Sequence, residues 1–133
     1  MDDRELIKKA LDARKRSYSP YSHFAVGAAL LTSEGEVFTG CNIENSAYSP
    51  SICAERVAFA KAVSEGYRDF RKIAIAGGPA DAETLSFCPP CGVCRQVMSE
   101  FCGRNDFKVI LVKSEDEYET YTLGELLPLS FSL

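Results

Sequence analysis

Phe24-Ala25-Val26-Gly27-Ala28-Ala29-Leu30-Leu31 is an unbroken apolar run, and after the turn Ser33-Glu34-Gly35 the chain returns through Glu36-Val37-Phe38-Thr39-Gly40-Cys41. Two extended runs joined by a short polar turn predict a hairpin, and a run without polar alternation is a strand covered on both faces. Before it, residues 3–16 place Leu6, Ile7, Ala10 and Leu11 at helical spacing and end at the turn-forming Ser17-Tyr18-Ser19-Pro20-Tyr21-Ser22. After it, residues 42–51 form a polar loop, and residues 52–65 are helical, with Ser51 as cap and Gly66 as stop. A short buried strand, 73–76, meets Gly77-Gly78-Pro79; Pro89-Pro90 introduces a helix over 91–101 that ends near Gly103. Strands follow at 108–112 and 118–122, then a turn of helix at 123–127. The order predicts an α/β fold in three layers, α/β/α, with a mixed sheet of about five strands and helices on both faces.

The chain has 133 residues, 46% of them hydrophobic, which suits one domain over residues 1–133 whose core needs no disulfides. Its formal net charge of −4, with no basic run, gives no attraction to polyanions and argues against a nucleic-acid partner. No stretch nears the roughly 20 apolar residues that span a bilayer. The opening Met1-Asp2-Asp3-Arg4-Glu5 is too charged for a signal peptide, so no membrane association and a cytoplasmic location are expected. In that compartment the six cysteines read as thiols or metal ligands.

Cys53-Ala54-Glu55 and Pro90-Cys91-Gly92-Val93-Cys94 carry the chemistry. Cys91 and Cys94 are three apart and share a helix face, while Cys53 completes three ligands for one zinc ion per chain. Three protein ligands leave a fourth position for water, the mark of a catalytic site, and Glu55 is the proton acceptor such a water needs. Both segments begin predicted helices, whose positive ends favour thiolates. Arg56 falls three residues after Cys53, so its guanidinium can hydrogen-bond that sulfur and withdraw electron density from a site with three thiolates. Each element has a plainer reading alone: Cys91 and Cys94 as a redox pair or half of a structural zinc site, Glu55 as a first-turn carboxylate, Arg56 as a surface arginine.

Taken together, Cys53-Ala54-Glu55 and Pro90-Cys91-x-x-Cys94-Arg95-Gln96 resemble the zinc-dependent cytidine deaminases of the three-cysteine type. The resemblance spans nearly the whole chain and includes Phe24-Ala25-Val26-Gly27-Ala28, Asn42-Ile43-Glu44-Asn45 and Glu125-Leu126-Leu127-Pro128. It implies that Cys53, Cys91 and Cys94 hold zinc and that Glu55 moves a proton from water to N3 and then to the departing amine. It further implies that Asn42 and Glu44 bind the ribose hydroxyls, that Phe24 packs on the pyrimidine, and that Ala54 contacts substrate. Nucleic-acid and deoxycytidylate deaminases place His where Cys53 stands, and the only histidine here is His23.

By the same resemblance the enzyme is a homotetramer whose neighbours complete each site, with Ser46, Tyr48 and Phe131 as the neighbours' contributions. The expected reaction converts cytidine and deoxycytidine to uridine and deoxyuridine plus ammonia, in pyrimidine salvage. An aminonucleoside-antibiotic deaminase of the blasticidin type shares the metal pattern, though Asn42-Ile43-Glu44-Asn45 favours an ordinary nucleoside. A structural zinc module mediating protein contacts needs a fourth permanent ligand, and a thiol oxidoreductase leaves Glu55, Asn42 and Glu44 without a task. Cys41, Cys88 and Cys102 lie outside the pattern and read as small buried apolar residues.

Overall fold

The computed structural model describes residues 1–133. Helix α1, Asp3–Arg14, is capped by the Asp2 side chain, which accepts from the Glu5 N–H, and buries Leu6, Ile7, Ala10 and Ala13. Strands β1 (Phe24–Thr32) and β2 (Val37–Cys41) form the expected antiparallel hairpin, with Gly35 at φ 95° in its turn. Helix α2 (Ala54–Ser64), strand β3 (Phe70–Pro79), helix α3 (Gly92–Phe101), strands β4 (Lys108–Val112) and β5 (Tyr118–Thr122), and helix α4 (Leu123–Leu126) complete the chain.

The strands lie in the order β2-β1-β3-β4-β5, antiparallel except for the β3–β4 pair. Successive side chains on a strand point to opposite faces, so the apolar runs feed two cores. Ala28, Leu30, Ile73, Ile75, Val109 and Leu111 pack with Ala58, Phe59, Cys94 and Met98 beneath α2 and α3. Ala29, Leu31, Ala74, Ala76, Ile110 and Val112 pack with Leu6, Ile7 and Ala10 beneath α1. The result is the expected α/β/α sandwich.

Helices α2 and α3 both start at the same end of the strands. Chain leaving β2 at Cys41 leads to α2, chain leaving β3 at Pro79 leads to α3, and Phe24 at the start of β1 pairs with Pro79. Ligand sites in open α/β sheets gather beyond such strand ends. Gly40 sets how closely α2 approaches: a Cβ there would lie 2.4 Å from the Ala54 carbonyl oxygen and 2.7 Å from the Ala58 nitrogen.

Three elements have bounds that differ from the sequence reading in ways that matter. Helices α2 and α3 begin at Ala54 and Gly92, so Cys53 and Cys91 are extended N-cap residues and not members of a first turn. Strand β3 runs for 10 residues where four were expected, because β1 pairs along its whole length, through Gly77 and Gly78 to Pro79. The glycines that looked like a strand boundary are part of the ladder.

Candidate functional site

Cys53 and Cys91 occupy positions where Ser, Thr, Asp or Asn would ordinarily accept from the first turn, yet neither makes a side-chain capping hydrogen bond. Their thiols turn toward each other. The Sγ atoms of Cys53 and Cys91 are 3.8 Å apart, those of Cys91 and Cys94 3.5 Å, and all three lie within 4.8 Å of one another. Zinc–sulfur bonds of 2.3 Å at tetrahedral angles require sulfurs about 3.8 Å apart, so the triad fits one zinc ion. No fourth His, Cys, Asp or Glu joins the group, which leaves one coordination position unfilled by protein.

Glu55, in the first turn of α2, is 4% exposed, and that burial raises its carboxyl to about 7. A carboxyl poised there can take up and release a proton near neutrality. Arg56 donates from Nη2 to the Cys53 Sγ at 3.6 Å, while its buried Nε finds no partner. Hydrogen bonds from Cys94 first, then from Arg56 and Cys91, draw Cys53 well below the ordinary thiol range, and Cys94, hydrogen-bonded to it and buried, is pushed up.

A cavity of about 340 Å³ opens over these groups, lined by Cys53, Ala54, Glu55, Arg56 and Cys91 at one end and by Asn42 and Glu44 at the other. The two polar groups at the far end are held by the chain itself. Asn42 Oδ1 accepts from the Val26 N–H at 2.9 Å and the Ser17 hydroxyl at 2.5 Å, while Nδ2 donates to the Phe24 carbonyl at 2.8 Å. Glu44 accepts at Oε1 from the Tyr21 and Ser22 N–H groups and at Oε2 from the Ser22 hydroxyl, which in turn accepts from the Phe24 N–H. The hydrogen bond from the Ser22 side chain is foremost in holding the Glu44 carboxyl below its ordinary value. One N–H of Asn42 and one lone pair of Glu44 remain free in fixed orientations, because a carboxylate offers about four acceptor positions.

Of the residues singled out by sequence, Cys53, Cys91, Ala54, Glu55, Arg56, Asn42 and Glu44 come together in this one cavity, and Cys94 stands buried against the two cysteine thiols that line it. Phe24, 40% exposed, lines a neighbouring cavity instead. Ser46, Tyr48 and Phe131 are exposed and line neither; Tyr48, at φ 61°, meets only the edge of Tyr21 with its ring. Cys41, Cys88 and Cys102 are half-buried, not buried as expected. Cys102 does pack against the α2–α3 core, where burial pushes its thiol up to about 12; Cys88 lines the cavity; Cys41 donates to the Arg16 carbonyl.

Three supporting residues carried no assigned role in the sequence. Ser17 and Ser22 sit in the polar turn that follows α1, and their task appears only when residues 42–44 fold back onto it. Arg95 donates from Nε to the Pro90 carbonyl at 2.7 Å and from Nη1 to the Leu126 carbonyl at 2.6 Å, bracing the approach to Cys91 against α4. Its place directly after Cys94 was the available signal.

The model of the cytidine and deoxycytidylate deaminase zinc-binding region matches residues 1–111. The chain belongs to that family. A cytidine deaminase of Sporosarcina psychrophila is 48% identical over 132 residues, covering 99% of this chain and 93% of the relative. The crystal structure of cytidine deaminase from Burkholderia pseudomallei superposes with a TM-score of 0.88 at 43% identity, over 98% of this chain and all of that one. Blasticidin-S deaminase of Bacillus cereus is more distant, 30% identical over 98% of this chain and 92% of the relative. The zinc-deaminase membership and the triad's spacing agree on the metal.

Proposed function

We propose that this protein hydrolytically deaminates cytidine and 2′-deoxycytidine to the uracil nucleosides and ammonia, in pyrimidine salvage, as one domain over residues 1–133 with one zinc ion per chain. The observation that carries the reading is a nearly buried Glu55 beside three thiols at zinc spacing, at one end of a cavity whose other end offers sugar-binding groups. Cys53, Cys91 and Cys94 hold the metal. Zinc bound there supplies Lewis acidity that brings the ionisation of water close to neutral pH. Glu55 takes one proton from that water and delivers it to N3 of the base, which makes C4 electrophilic toward the hydroxide left behind; once the C4–O bond has formed, Glu55 takes the second proton from that oxygen and hands it to the amine, which departs as ammonia while the C4 carbonyl forms.

Asn42 and Glu44 hold the ribose hydroxyls and so set C4 against the metal end, while Ala54 forms the wall beside Glu55; packing of Phe24 on the pyrimidine rests on the family resemblance alone, because Phe24 lines the neighbouring cavity. Arg56 acts through Cys53: a guanidinium on a metal-binding sulfur withdraws electron density and keeps the three-thiolate site electrophilic. The blasticidin alternative has the lower similarity, and the same cavity suits an unmodified sugar.

The assembly is a homotetramer in the cytoplasm, in which neighbours bring Ser46, Tyr48 and Phe131 to each site. Support comes from the exposure of Tyr48 and Phe131, and from an apolar surface groove lined by Ile52, Phe59, Val63, Val97 and Phe101 between α2 and α3. Such a face is stable in water when another protein surface covers it. A spectrophotometric assay on cytidine, with zinc measured on the same sample, tests the activity: turnover with one zinc per chain is expected. Metal-free protein that deaminates cytidine equally well overturns it.

A further inference from the structure

Beside the cavity over the metal end lies a second one of about 420 Å³, lined by Phe24, Gly77, Gly78, Thr84, Ser86 and Phe87, among others. One side chain, Cys88, lines both cavities. Its place is fixed from behind: the Cys88 Sγ lies 2.7 Å from where a Cβ on Gly77 would stand, so the thiol rests in the space that a glycine leaves on β3. Gly77 pairs with Val26, which itself lines the first cavity, so the partition is backed by the sheet and not by loop alone. Cys88 also precedes Cys91 by three residues and shares the first cavity with it, which puts the partition at the metal end.

On a pyrimidine nucleoside C4 stands between N3 and C5, and N1 carries the sugar. With the sugar at Asn42 and Glu44, C4 at the thiols and N3 at Glu55, the apolar edge of the ring is C5–C6, and C5 is the atom of that edge next to C4. We infer that Cys88 is a specificity-determining residue: its side chain closes the base site from the second cavity and sets the size of C5 substituent that the pocket accepts. The ligand class is pyrimidine nucleosides bearing a C5 substituent bulkier than methyl, which reach the second cavity only when the partition is thinned. This rests on the deaminase reading and extends it to substrate choice.

The test measures kcat/KM for cytidine, 5-methylcytidine, 5-iodocytidine and N4-methylcytidine on zinc-loaded wild-type protein, Cys88→Ala and Cys88→Val. Each substrate is compared with itself across variants, so the electronic effect of iodine cancels. Cys88→Ala is expected to keep cytidine within about threefold and to raise 5-iodocytidine relative to cytidine by about 10-fold or more, the scale on which pocket volume discriminates. Cys88→Val should move the same ratio the other way, so the inference stays testable if the smaller variant does not fold. An unchanged 5-iodocytidine ratio in the folded variants overturns the role of Cys88. A gain confined to N4-methylcytidine overturns its placement at C5. Absence of cytidine turnover by the wild type defeats the deaminase reading itself, a result distinct from either.

Discussion

Glu55 and Glu44 are carboxylates at opposite ends of one cavity, and their surroundings drive them in opposite directions: burial raises the first to about 7, and hydrogen bonds from the residue 21–22 turn lower the second. That division suits a proton carrier and a permanent acceptor. Glu55→Gln is expected to keep zinc and fold while turnover falls by at least about 10²–10⁴-fold, the range for lost general acid–base catalysis; zinc content and kcat on one sample check it. Arg56→Gln should also keep zinc, lower turnover by roughly 10–100-fold and move the pH–rate profile to higher pH. A zinc-loaded variant with the wild-type profile would make Arg56 a surface residue. For Glu44 the sign follows from a depressed folded pKa: the carboxylate and its contacts persist from neutral pH down through the ordinary glutamate value of about 4.3, and are lost below it. KM for cytidine, followed from pH 7 to 3 in wild type and Glu44→Gln, should stay level through about pH 4.3 and rise below it in the wild type, and stay level throughout in the variant. At this scale the metal ligands and Glu55 were legible because chemistry restricts which side chains can do the work. Ser17 and Ser22 were not, since a hydroxyl's partner is chosen by folding and not by spacing.

Helix α2 carries Cys53 at its cap and Glu55 in its first turn, and the contact at Gly40 fixes where that turn sits. Gly40→Ala would drive a methyl group into the Ala54 carbonyl and the Ala58 nitrogen, a backbone collision that no rotamer change relieves. Overpacking of this kind costs about 1–3 kcal/mol, and here the displaced atoms adjoin the metal site, so zinc affinity and kcat should fall together with the melting midpoint. Gly35→Ala is the contrast: it carries strain at φ 95° but meets nothing within 4 Å, so about 1–2 kcal/mol of stability is lost with turnover per zinc unchanged. Calorimetry and metal titration of both variants separate the cases. Apolar periodicity located most elements, and β4 and β5 match their expected bounds. It failed at β3, where Arg71 and Lys72 interrupt the apolar signal and Gly77 and Gly78 mimic a stop, because pairing with β1 is decided across the sheet.

In the whole molecule the C-terminal tail is the least satisfied segment, with Leu129, Phe131 and Leu133 at 97%, 69% and 120% exposure. Arg104 holds its base through the Leu127 carbonyl and the Ser130 hydroxyl, and nothing in the chain covers its end. Removing residues 129–133 is expected to change unfolding free energy by no more than about 0.5 kcal/mol, yet to lower kcat/KM and weaken the proposed tetramer. Light scattering and kinetics across a dilution series read both effects, and an active full-length monomer would place each complete site within one chain. The sequence carried the layer order but not the apolar groove between α2 and α3, since exposure is a property of the finished surface. The parallel partnership of β3 and β4 bears on biosynthesis. On the ribosome residues 1–79 can assemble β2-β1-β3, but Ile73–Ala76 then present an unpaired apolar edge until β4 at Lys108–Val112 emerges. At ordinary elongation speeds that interval lasts roughly 2–6 seconds, during which nascent chains are open to strand-to-strand pairing with one another, and the second half of the metal triad arrives within the same window.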